Sequence, residues 1–161
     1  MITIKTNHGE ILIELHEKSA PISCENFRSY ILDDYYNNTI FHRIIPNFMI
    51  QGGGFDVDMI AKKTKSPIKN EADNGEQNIR GSISMARTSE IDSATSQFFI
   101  NLSNNHFLDH GERDYGYAVF GQVIKGLDVI DTISGVTTES RGSHQDVPIN
   151  PVIIEKISIS D

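Results

Sequence analysis

Arg43 is the first residue from which chemistry can be argued. It stands in the apolar run Phe41-His42-Arg43-Ile44-Ile45, where a guanidinium must reach solvent, meet a carboxylate or wait for a ligand. As a permanent cation it cannot shuttle protons, but it offers a rigid fork of hydrogen-bond donors. Read alone, it is more commonly a charge on a strand face or edge. Two amides also stand at alternate positions with soft or aromatic side chains, Gln51 with Met49 and Gln97 with Phe99, so each pair shares one strand face. His42 invites a general-base reading, but neighbouring strand residues face opposite ways, and a packed or solvated imidazole is expected. His106, Asp109, His110, Glu112 and Asp114 crowd one stretch; they lack a His-Glu-x-x-His frame or a cysteine pair, so no metal site is expected. No serine stands in a Gly-x-Ser-x-Gly elbow, which argues against a hydrolase.

The elements that must hold these groups follow from patterning. Phe41 to Gly53 is two β-branched and aromatic runs broken by Pro46-Asn47 and ending in glycines, Gly52 to Gly54. That predicts strand, turn, strand and bend, with Ile50 inward and Met49 and Gln51 away from the core. Ile2 to Thr6 and Ile11 to Leu15 alternate around Asn7-His8-Gly9, a hairpin. Ser19 as N-cap, Pro21 in the first turn and the spacing of Cys24, Phe27 and Ile31 predict a helix to about Leu32, with Tyr35 and Tyr36 packed beneath the loop that follows. Asp56 to Gln77 lacks periodicity and is expected to be a long irregular excursion of unassigned role. Ile83 and Met85 alternate with Ser84 and Ala86. Phe98 and Ile100, if inward, send Gln97 and Phe99 outward together as an exposed recognition surface. Arg87 to Thr95 reads as a polar loop, and Phe107-Leu108-Asp109 to Tyr115-Gly116-Tyr117 as another. A strand over Ala118 to Val123, a short helix over Gly126 to Ile133 and a last strand over Val152 to Ile159 complete the chain. Many antiparallel strands with two helices argue for a closed barrel with helices over its ends.

At 161 residues the chain is expected to form a single domain, 1–161. Its one cysteine, Cys24, cannot pair internally and reads as a small buried hydrophobe. The first residues begin directly in strand alternation, with no basic region and apolar run, and no stretch approaches a membrane span, so a cytoplasmic protein is expected. The net charge of −8, from 14 basic and 22 acidic residues without a basic block, argues against nucleic acid and membrane partners. A monomer is expected.

Phe41 to Gly53, taken whole, resembles the signature of the cyclophilin-type peptidyl-prolyl isomerases. Asn47 replaces the usual Gly and Gly54 the common Asp; neither change is expected to touch a functional side chain. Glu25-Asn26-Phe27, Gly81 to Ala86, Ser96 to Ile100 and Val119-Phe120-Gly121 follow in the family's order across most of the chain. The resemblance implies a mainly β fold, a closed eight-stranded antiparallel barrel capped by two helices. It implies cis-trans isomerisation of X-Pro bonds during protein folding, on proline-containing peptides and unfolded or folding proteins, without a cofactor. It makes Arg43 the donor to the prolyl nitrogen. It places Phe48, Met49, Phe99 and Leu108 around the proline ring, Gln51 and Gln97 against the substrate backbone, and the Ala86-Arg87 main chain along the preceding residues. Phe107 and Tyr117 stand where many members carry Trp and His, as in bacterial cyclophilins; losing the indole N–H implies weak binding of the cyclic peptide cyclosporin. Two rival readings remain: a proline-peptide binding module whose catalysis is incidental, and an unrelated barrel with a ligand cavity inside it.

Overall fold

Alternation at the start of the chain lays down the first hairpin. Strand β1 (Ile2–Thr6) pairs antiparallel with β2 (Gly9–Leu15), Ile2 opposite Ile13 and Ile4 opposite Ile11, so that all four isoleucines reach the core. The structure, a computed structural model, describes residues 1–160. Helix α1 (Pro21–Leu32) buries Cys24, Phe27, Tyr30 and Ile31, with Pro21 in its first turn.

Its cap differs from expectation. Ala20, not Ser19, is the N-cap residue and no side chain of that turn caps the helix. The Ser19 hydroxyl instead donates to Glu76 at 2.6 Å. The cap comes from far along the chain: the Glu71 carboxylate accepts the Ser23 N–H at 2.7 Å, the Ser23 hydroxyl at 2.8 Å and the Ile22 N–H at 3.2 Å. A negative group is favoured there, where unpaired N–H groups and the helix dipole converge.

The remaining elements are β3 (Thr39–Ile40), β4 (Arg43–Ile45), β5 (Met49–Gly52), β6 (Ser82–Met85), β7 (Phe98–Asn101), β8 (Val119–Lys125), α2 (Leu127–Ser134), β9 (Thr138–Arg141), β10 (His144–Pro148) and β11 (Ile153–Ile159). Among the described residues, nine strands form one curled sheet in the order β3-β11-β1-β2-β8-β6-β7-β5-β4. The class is mainly β with two helices, as expected. The ladder holds nine strands where eight were expected, curled between two end strands. Those ends, β3 and β4, are separated in the chain only by Phe41 and His42, and β3 turns to bond the segment after β5 through Ile40 N–H to Phe55 O at 3.0 Å. Strands β9 and β10 form a separate hairpin that the sequence did not announce, because Thr138 to Arg141 is largely exposed and has no apolar alternation.

The concave face of the sheet closes over the core. Phe27 sits at its centre with ring centroids 5.2 to 5.4 Å from Phe120, Tyr36 and Phe98. Tyr36 therefore lies in the core, its hydroxyl donating to Ser96 O at 2.7 Å, while Tyr35 alone lies under the excursion, against Lys62. From 53 to 81 there is no strand, only isolated bridges and a single 3-10 turn at Ala72–Asn74.

Candidate active site

Strand registers carry the sequence alternation across the sheet. On the core side Ile44 faces Ile50, Ile50 faces Ile100, and Ile100 faces Ile83. On the outer side Arg43 faces Gln51, Gln51 faces Phe99, and Phe99 faces Ser84. Met49 lies one step along this outer face, opposite Ile45. The turn between β4 and β5 needs a left-handed residue, and Asn47 fills it with φ 64°, a conformation Asn tolerates after Gly.

This outer face carries a second apolar cluster distinct from the core: Met49, Ala86, Phe99 and Leu108, flanked by Ile45, Phe48 and Tyr117. Phe99 is thus not the exposed aromatic expected. It is 4% exposed, with Tyr117 packed edge-on at 5.7 Å, and it forms part of a floor. Above that floor opens a groove of about 380 Å³ lined by Arg43, Phe48, Met49, Gln51, Ala86, Arg87, Phe99, Phe107, Leu108, Arg113 and Tyr117. Gln97, also expected at the site, lines an adjoining recess with Gln51, Ala86 and Arg87.

Arg43 is exposed at the groove edge and pairs with no carboxylate among the described residues; its Nη1 donates to Gln51 Oε1 at 3.4 Å. The Gln51 amide in turn donates to Gln97 Oε1 at 2.9 Å, so both amides are held in one orientation. Arg87 is otherwise engaged. Its side chain is 4% exposed, donates to Gly116 O and Thr88 O, pairs with Asp114 at 3.5 Å and lies over the Tyr117 ring at 4.4 Å.

Three buried asparagines that the sequence reading passed over fix the far wall. Asn78 donates from Nδ2 to Leu108 O and Tyr117 O, both at 3.3 Å, and accepts the Ser84 hydroxyl at 2.6 Å. Asn101 donates to Asn78 Oδ1, and Asn105 donates to both Asn101 Oδ1 and Phe48 O. The turn that carries Phe107 and Leu108 is thereby tied to the strand carrying Phe99. Nothing local marks these amides as structural. In the same loop, burial would raise the Asp109 carboxyl, but the Asn78 N–H groups and His106 hold it below its ordinary value.

A family profile described as cyclophilin type peptidyl-prolyl cis-trans isomerase/CLD matches residues 1–159. The chain belongs to the cyclophilins. It is 57% identical over 158 residues to peptidyl-prolyl cis-trans isomerase A of Dickeya dadantii, covering 98% of this chain and 83% of that one. It is 52% identical to peptidyl-prolyl cis-trans isomerase B of Escherichia coli, across the whole of both chains. Among solved structures, a Cryptosporidium parvum cyclophilin crystallised in the presence of the dipeptide Ala-Pro aligns with a TM-score of 0.82 at 29% identity, covering 99% of this chain and 98% of the other. The activity of this cyclophilin is peptidyl-prolyl cis-trans isomerisation. No described helix is long and apolar enough to cross a membrane.

One family position bears on the groove after all. A Cβ at Gly54 would lie 2.5 Å from Gln97 Cγ and 2.6 Å from its Nε2, so the bare glycine makes room for that side chain. Gly54→Ala is therefore expected to push Gln97 out of contact with Gln51 and raise KM for a proline peptide about threefold, a weakened hydrogen bond of ~0.6 kcal/mol, with kcat little changed. An unaltered KM would show that the Gln51–Gln97 contact does not bear on substrate.

His42 of this cyclophilin is 5% exposed, packed at a tilt on the Phe55 ring at 4.5 Å, and its Nδ1 has no partner among the described residues. Burial first, then nearby His144 and Arg43, push its pKa down to about 4. A folded value below the unfolded ~6.5 favours the neutral ring, so this contribution is whole above pH 6.5 and drains away as pH falls toward 4. By pH 5.5 the parent should have lost roughly 1 kcal/mol more, relative to pH 7.5, than a non-titrating His42→Gln variant. Thermal midpoints that run parallel for the two proteins across that range would overturn it. Cys24, pushed up to about 12 chiefly by burial, donates its thiol to Phe120 O at 3.3 Å and is packed as a hydrophobe.

Proposed function

We propose that this chain, acting as one domain over 1–161, turns X-Pro bonds by holding the proline ring on the floor of Met49, Phe99 and Leu108 while Arg43 donates to the prolyl nitrogen. Rotation about the amide breaks no bond, but it must cross a barrier of ~18–20 kcal/mol because the planar bond is conjugated. At the twisted midpoint the nitrogen becomes pyramidal and basic. A donor fixed beside it stabilises that point more than either planar isomer.

The observation that carries this reading is the juxtaposition of the exposed Arg43 guanidinium, which reaches Gln51 Oε1 and pairs with no carboxylate among the described residues, with an apolar floor inside the same groove. Gln51 and Gln97 supply amide groups for the peptide backbone, and the Ala86–Arg87 main chain lies where the residues before proline would run. Phe48 closes the mouth. Phe107, 45% exposed, presents an aromatic face without an N–H donor, which supports weak cyclosporin binding.

Among the described residues no carboxylate, thiol or imidazole lines the groove. Isomerisation of an Ala-Pro peptide, followed by magnetisation exchange at several pH values, is therefore expected to be accelerated at a rate nearly flat between pH 6 and 8. A bell-shaped profile in that range would require an acid or base that this mechanism does not contain. Absence of acceleration, with the peptide still bound, would favour the rival reading as a proline-peptide binding module.

A further inference from the structure

The groove's charged lining is entirely cationic, in a chain of net charge −8: Arg43, Arg87 and Arg113. These three differ in what they are free to do. Arg87 is satisfied by Asp114, two carbonyls and the Tyr117 ring. Arg43 faces the amide. Arg113 lies over the Phe107 ring at 5.3 Å, and Phe107 in turn packs on Phe48 at 5.6 Å. Among the described residues no carboxylate pairs with Arg113. Of its acidic neighbours, Asp114 is held by Arg87 and the Gly116 N–H, and Glu112 is exposed and points to no ion pair. Stacking on an aromatic face restrains a guanidinium while leaving its in-plane N–H groups open to a planar acceptor.

We propose that Arg113 is a specificity residue that selects substrates with a carboxylate side chain within two residues after the proline. This rests on the reading above, in which residues before proline run along Ala86–Arg87; those that follow it then leave past Phe48 and Phe107, which pack on each other and line the same groove. The substrate class is acidic proline segments of unfolded chains. The charged side chains that line this groove are all arginines, and the attraction acts where the peptide exits, not on the twisting bond.

The test is a set of blocked Ala-Ala-Pro-Ala-Z peptides with Z as Glu, Gln or Lys, with kcat/KM measured at low and high salt. The parent is expected to rank Glu above Gln above Lys, with about tenfold between the extremes at low ionic strength, shrinking toward twofold in ~0.5 M salt. Arg113→Glu should reverse the order, Arg113→Gln should flatten it and Arg113→Lys should keep it. Each ratio is taken within one protein, so a general loss of activity does not mimic the result. A parent without charge preference, an Arg113→Gln protein that keeps the full order, or an equal swing when the charge is moved before proline would each overturn the proposal. A parent that accelerates none of the peptides would instead sink the isomerase mechanism itself, and this selectivity with it.

Discussion

Replacing Arg43 with Ala is expected to lower kcat/KM for a proline peptide 10- to 100-fold with little change in thermal midpoint. The activity loss is the size of one charge-assisted hydrogen bond, ~1.5–3 kcal/mol, made only as the amide twists. The small stability effect follows from the geometry: Arg43 is exposed, sits on β4 and touches Gln51 at 3.4 Å, so its removal opens no cavity and breaks no buried pair. The loss should fall mainly on kcat, because the apolar floor that binds the proline ring is untouched. Arg43→Lys is expected to recover only part of the rate, since an ammonium is a point charge on a flexible stem and not a rigid fork. Isomerisation by the Ala variant at the parent's rate would remove Arg43 from the mechanism.

The largest stability effect is expected from Glu71→Ala, about 3–4 kcal/mol, or roughly 10 °C in thermal midpoint. The Glu71 carboxylate is 8% exposed and accepts three hydrogen bonds from Ile22 and Ser23 at the start of α1. Truncation leaves two helix-end N–H groups and a hydroxyl short of acceptors in a mostly buried place, and removes the charge that complements the helix dipole. It also frees the long excursion from the helix it straps. Glu71→Gln keeps an acceptor but not the charge, so its cost should be intermediate. Urea unfolding that shows less than ~1 kcal/mol for the Ala variant would mean that water or a neighbouring group replaces the cap.

What the sequence makes legible here is parity. Gln51 could be set apart from Ile50, and Phe99 from Ile100, because side chains alternate along an unbroken strand, and the β5–β7 ladder carries no bulge. Burial was less legible: Phe99 left the core side as expected, yet it lies under Tyr117 and Leu108, which arrive from a loop that alternation does not describe. Glu71 was illegible for a plainer reason. A capping residue is sought within a few positions of the helix it caps, and this one is 48 residues beyond Ser23. Asn78, Asn101 and Asn105 look like ordinary loop and strand amides until their mutual bonds are seen. Arg113 carries no mark in the sequence either, since it stands in a loop without periodicity and its contact with Phe107 depends on how that loop folds.

The placement of β11 between β3 and β1 has a consequence for how the molecule comes to exist. Residues 153–159 occupy an interior row of the sheet, pairing Ile159 with Ile2 and Ile153 with Ile40. Until they pair, the edges of β1 and β3 stand open, and the sheet can be completed only by contacts between strands far apart in sequence, a topology that folds slowly. A peptidyl-prolyl isomerase thus has a slow closing step in its own folding, set by the distance along the chain between β1 and β11.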